Sequence, residues 1–220
     1  MAGRGPRTPG YGSPGHASPE YLSLHDVSPG DADAPRPTPD ASFDTLGDTG
    51  LVRVRDLAGR PRGTGFVADH HGTVITSHEA VDGLARLVLC ADGDGGDRGC
   101  VVTADAVTPL PGFDLALVRT EGLDVDPLPV TVRDGVEAGR YVRLLAGCWR
   151  EARVLAGTPV TYAARDRFHP LGNALELAIG TAGRDALRPG GGAAGGPVLD
   201  AGTGAVVAVL GTALRSGHRD

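Results

Sequence analysis

Three stretches of the 220-residue chain carry residue types that could do chemistry together. TGFVADHHGTVITSHEAV (64–81) brings an apolar run to its end at His78, GFDLALVRT (112–120) opens a second apolar run with Asp114, and PGGGAAGGPVLD (189–200) is a glycine-rich turn centred on Ala194. An imidazole can take the proton of a nearby hydroxyl, and a carboxylate can hold that imidazole in one tautomer. Glycines let a backbone turn so sharply that two amide N–H groups converge on one point. Taken singly, each has an ordinary reading: a turn histidine, an aspartate capping a strand end, a flexible loop. His70 and His71 in the ADHHG turn read as surface residues. What gives the three weight is their joint occurrence at run boundaries.

The elements that position them are short. Apolar runs rich in β-branched residues, mostly five to nine residues long and bounded by Gly, Pro or Asp, follow one another from about residue 46: LVRVRDL (51–57), GTGFVAD, GTVITS, ARLVLCA, CVVTADAV, DLALVRT, YVRLLAG, REARVLAGTPVTYAA (150–164), ALELAIG (174–180), GPVLD and AVVAVLGTA (205–213). In LVRVRDL, Val52 and Val54 share one face and Arg53 and Arg55 the other, which should be wet, while VVAVL reads as buried on both faces. Only HEAVDGLAR (78–86) suggests a helical turn. Ten or eleven strands with almost no helix predict an all-β barrel or sandwich. The boundaries expected are a Pro/Gly-rich disordered tail over 1–45, a first β unit over 46–125 with His78 and Asp114, a linker over 126–140, and a second β unit over 141–220 with the 192–197 turn. Eight of the 17 prolines fall in the first 40 residues, and that tail is too poor in apolar residues to offset its ordering entropy. Its Thr-Pro and Ser-Pro pairs at Thr8, Ser13, Ser18, Ser28 and Thr38 are possible phosphorylation points, though a solvated tail is the plainer reading.

Composition removes several classes of function. Net charge is −6, and all 21 basic residues are Arg with no Lys, so a basic stripe for nucleic acid is not expected. Mean hydropathy is −0.08 and the sequence pI about 5.6. No apolar run approaches the ~20 residues a bilayer span needs, and the first 20 residues contain no apolar signal core, which makes the cytoplasm the expected location. Cys90, Cys100 and Cys148 are too scattered for a disulfide framework or a zinc site and should be free thiols.

Together the three blocks resemble the catalytic blocks of trypsin-like, double β-barrel serine proteases, closer to HtrA-like and other bacterial intracellular branches than to secreted digestive enzymes. The matching residues are Gly63, Gly65, Phe66, Thr76 and His78 in the first block, DLAL at 114–117 in the second and GAAGGPVL at 192–199 in the third. Their order is the family's, with 36 and 80 residues between the three positions, and the resemblance covers about residues 46–213. It implies two six-stranded antiparallel β-barrels, a protein or peptide substrate, further domains or a partner protein, and no metal or cofactor. His78 and Asp114 would be the base and its orienting acid, Ala194 would stand where the serine nucleophile sits, and the amides of Gly192 and Ala194 would form the oxyanion hole. Leu210, Gly211 and Thr212 would pair with substrate backbone as an added strand. Arg188 would lie near the pocket floor around 186–190, favouring acidic side chains if it points inward and being a solvated charge if it does not.

The chain departs from that pattern in four places. Ala194 lacks the hydroxyl, with no Ser, Thr or Cys adjacent, and such a loss costs roughly six orders of magnitude in turnover. One residue, Ser77, separates Thr76 from His78, where most members have two. No Ile-Val-Gly-Gly-like start follows the tail. The chain also stops at Asp220 soon after VVAVLGTAL, where the family has a further closing strand, which suggests a fragment or an incomplete second barrel with an exposed edge. The resemblance therefore implies a serine endopeptidase domain silenced at Ala194, the retained His, Asp and glycines fitting a recent or deliberate replacement. The alternative is a natural pseudoprotease serving as a peptide-binding or scaffold module.

Overall fold

Strand-forming runs collect into two curled antiparallel sheets. The computed structural model describes residues 50–91, 98–121, 123–131, 135–180, 187–188 and 191–216, all within one compact unit, Pro35–Asp220. The tail, with its Thr-Pro and Ser-Pro pairs, lies outside the described residues.

The first sheet holds β1 (Leu51–Arg55), β2 (Pro61–Val67), β3 (Thr73–Thr76), β4 (Arg86–Ala91), β5 (Arg98–Thr103), β6 (Val107–Leu110) and β7 (Leu115–Arg119), in the order β5-β4-β1-β2-β3-β7-β6. In β1 Val52 and Val54 are fully buried as alternation predicts, and of the two arginines on the other face Arg53 is exposed and Arg55 half-buried. Those valines pack with Val67, Val74, Leu87, Leu89 and Val118 into one core, each buried side chain contributing about 1.5–3 kcal/mol. A single helical turn, α1 (His78–Val81), follows β3.

The second sheet holds β8 (Tyr141–Leu145), β9 (Trp149–Ala163), β10 (Phe168–Ile179), β11 (Pro197–Asp200) and β12 (Val206–Val209), in the order β10-β9-β8-β11-β12. A further strand, β13 (Leu214–Ser216), pairs with β9, Leu214 opposite Tyr162. A strand thus does follow 205–213, contrary to the expectation from sequence. The sheets have seven and six strands rather than six each. β6 and the first half of β10 are not among the runs read from the sequence, and each contains a proline, Pro109 and Pro170. Both strands lie at sheet edges, where proline is tolerated because alternate N–H groups have no neighbouring strand to bond. VVAVL is also less enclosed than it reads: Val206 is buried, but Val207 to Leu210 are half-buried.

The stretch read as a linker is partly built into the structure. Leu128 N–H donates to Val67 O at 2.9 Å, and Val130 bridges to Val206 of β12. Phe66, Leu128, Leu199 and Val206 close over each other as a separate apolar cluster between the sheets. That cluster fixes β2 and β3 of the first sheet against β11 and β12 of the second, and the three chemistry-bearing blocks meet along this seam.

Candidate functional site

The 192–197 turn is held from both sides. Thr64 of β2 donates its N–H to Ala194 O (2.7 Å) and its hydroxyl to Gly192 O (2.8 Å), while Thr76 Oγ1 donates to Thr64 O (2.6 Å). On the other side Gly195 N–H donates to Leu210 O (2.7 Å), and Leu210 N–H to Gly196 O (2.9 Å). Gly195 sits at φ +86°, and a Cβ there would run into Thr76 Oγ1 and Thr64 O, so both conformation and space require glycine. The Ala194 methyl is buried. Among the described residues, neither the Gly192 nor the Ala194 amide donates to a protein oxygen. Arg188 is exposed, and residues 186, 189 and 190 of the expected pocket floor lie outside the described residues.

Asp114 stands between a 3-10 turn, Pro111–Phe113, and β7, in a left-handed conformation (φ 48°, ψ 43°) that Asp tolerates better than most side chains. Its carboxylate is buried. Oδ1 accepts from Ser77 Oγ (2.8 Å) and from the Glu79 N–H (3.2 Å), and its carbonyl accepts from the His78 N–H (3.2 Å). Burial pushes the carboxyl up to about 7, outweighing those donors, and the nearby negative charge of Glu79 pushes the same way.

The imidazole of His78 faces elsewhere. Its Nδ1 lies 2.8 Å from the hydroxyl of Tyr162 on β9, the two rings meeting edge-on at 83° with centroids 5.7 Å apart. Tyr162 in turn stacks on His169 of β10, 6.0 Å between centroids. Burial holds the imidazole below its ordinary value and pushes the Tyr162 phenol up. The structure brings His78 and Asp114 together through the backbone, His78 N–H on Asp114 O, while among the described residues the imidazole meets Tyr162 and the Asp114 carboxylate accepts from Ser77 and the Glu79 N–H.

The expected cleft strand is also engaged internally. Leu210 is bonded to the glycine turn, and a Cβ at Gly211 would lie 2.8 Å from Asp114 Oδ2. Thr212 N–H donates to Glu79 Oε2 (3.2 Å) and its hydroxyl to Glu79 Oε1 (2.7 Å), while Ala213 N–H donates to Glu79 Oε2 (2.9 Å). Among the described residues, no cluster of three or more His, Cys, Asp or Glu is arranged to hold a metal ion, and no helix is long and apolar enough to cross a membrane.

Residues 63–209, which include His78, Asp114 and the glycine turn, match the family described as trypsin-like peptidase domain. The chain belongs to that family. Similar solved structures include the MamO protease domain from Magnetospirillum magneticum in its apo form (20% identity, TM-score 0.57, covering 74% of this chain and 84% of that one). Deg5 is similar at 18% identity, with a TM-score of 0.57 and coverage of 80% and 86%. The active form of the Rv3671c protease from M. tuberculosis is similar at 19% identity, with a TM-score of 0.57 and coverage of 88% and 90%. At such identities the likeness is one of fold. No curated protein sequence matches the chain.

In this trypsin-like domain Glu79 is the residue of the candidate site that the sequence reading does not single out. The signal was present in the short Thr76-Ser77-His78 spacing: allowing two intervening residues after Thr76 reaches Glu79, not His78. Its N–H is the one Asp114 Oδ1 accepts. The arrangement therefore sets a carboxylate beside Asp114, an imidazole turned toward Tyr162, and a methyl at position 194.

Proposed function

We propose that this chain is a trypsin-like peptidase domain that has given up hydrolysis and serves as a protein- or peptide-binding module. The observation that carries the reading is the 2.8 Å contact of His78 Nδ1 with Tyr162, which leaves the Asp114 carboxylate to Ser77 and Glu79. A base needs its orienting acid on Nδ1 and its nucleophile within hydrogen-bond reach of the other ring nitrogen. Here a buried phenol takes the first position and Ala194 offers nothing in the second. The rival reading, a serine endopeptidase silenced only at Ala194, needs a dyad that works once a hydroxyl returns. The turn glycines, and the Gly192 and Ala194 amides that donate to no protein oxygen among the described residues, speak for it; the wiring of His78 speaks against it.

The test is Ala194→Ser, checked for folding and treated with a fluorophosphonate probe. The expected result is no labelling and no cleavage of a mixed peptide library. Labelling that disappears when His78→Ala is added overturns the proposal and makes the domain a protease lacking one atom.

A further inference from the structure

The contact between Glu79 and the segment before β13 joins parts of the chain 133 residues apart. Two consecutive backbone N–H groups and one hydroxyl, from Thr212 and Ala213, converge on a single carboxylate. Successive N–H groups turned to one side make a concavity suited to an anion, and hydrogen bonds to an ionised oxygen are roughly twice as strong as neutral ones. We infer that Thr212 and Ala213 form a carboxylate-binding site that the protein fills with its own Glu79, and that emptying it lets the site take the terminal carboxylate of a peptide.

The occupant is held firmly at its base. Glu79 N–H donates to both Ser77 Oγ (3.0 Å) and Asp114 Oδ1 (3.2 Å), so α1 presents the side chain from a fixed backbone. The receiving segment is fixed on its far side, because Ala213 O accepts from Ala163 N–H (3.1 Å) and Leu214 pairs with Tyr162. Glu79 thus clamps the first sheet's α1 to the strand pair β9–β13 of the second. A tethered ligand competes at an effective concentration of roughly millimolar or above. A free carboxylate at lower concentration therefore does not displace it. The lock does not depend on whether the domain hydrolyses peptides.

The experiment titrates sodium formate into ¹⁵N-labelled wild type, Glu79→Ala and the double variant Glu79→Ala/Thr212→Val, with sodium chloride at equal ionic strength as control. The expected result is saturable shifts of the Thr212 and Ala213 amides in Glu79→Ala, none in wild type, and binding about tenfold or more weaker in the double variant. A neutral tetrapeptide with a free C-terminus should move the same two amides, and its amidated form should not. A folded Glu79→Ala protein whose two amides ignore formate, or that responds equally to both peptides, overturns the inference. Should Glu79→Ala not fold, amide exchange in Glu79→Gln decides: the loss of charge should speed exchange at Thr212 and Ala213 about tenfold over wild type, and unchanged protection there overturns it.

Discussion

Asp114→Asn should make the protein more stable at neutral pH, and the gain should grow with pH. The Asp114 carboxyl titrates near 7 in the folded chain against an ordinary 3.8. Between those values the native state keeps a proton that the unfolded chain has released, so each step up in pH favours unfolding. The gap of about three pH units corresponds to a ceiling of ~4 kcal/mol, at about 1.4 kcal/mol per unit. This destabilisation is absent near pH 4 and complete above about pH 7. Asn keeps an Oδ1 acceptor for Ser77 Oγ and the Glu79 N–H, carries no charge beside Glu79, and has nothing to titrate. His78 acts in the opposite sense, since burial holds its folded value below the ordinary 6.5 and rising pH through that window favours the native state. Asp114 is not among the groups that shift His78, so its contribution cancels in the difference between variant and wild type. Urea unfolding of both proteins from pH 4 to pH 8 measures that difference. It should rise by about 2–4 kcal/mol across the window and then level off. A difference constant to within about 0.5 kcal/mol would refute the reasoning, because the carboxyl would then titrate as an exposed one.

Two further substitutions probe the seam. Tyr162→Phe strips the partner from His78 Nδ1 and should cost about 1–3 kcal/mol by chemical denaturation. The imidazole's NMR titration midpoint should stay below 6.5, since burial and not the phenol holds it there; a midpoint at or above 6.5 would show otherwise. Gly195→Ala should cost more than about 3 kcal/mol, with methyl contacts on Thr76 Oγ1 and Thr64 O added to an unfavourable φ of +86°. Gly202→Ala is the control, because a Cβ there meets nothing nearer than Asp200 Oδ1 at 3.4 Å. Equal melting temperatures for the two would remove the packing argument.

The all-β class, the order of the three blocks and the glycine turn could all be read from the sequence, because they depend on neighbours in the chain. Alternation placed Val52 and Val54 inside, and the run of Gly around Ala194 marked a turn with left-handed glycines at 192 and 195. Two edge strands, β6 and the first half of β10, escaped that reading. Pro109 and Pro170 look like breakers until the sheet places their strands at its edges, where proline is tolerated. The site escaped it for a different reason. Whether an imidazole beside Thr76-Ser77 meets an aspartate or a phenol depends on a residue 84 positions away on another sheet. Whether Glu79 is a solvated charge or the occupant of a donor pocket depends on backbone amides 133 positions away. Local patterns decide which residues pair into strands and turns. Which buried polar atom satisfies which is decided only when the two sheets close on each other, since every enclosed donor and acceptor then takes the partner that the seam brings within reach.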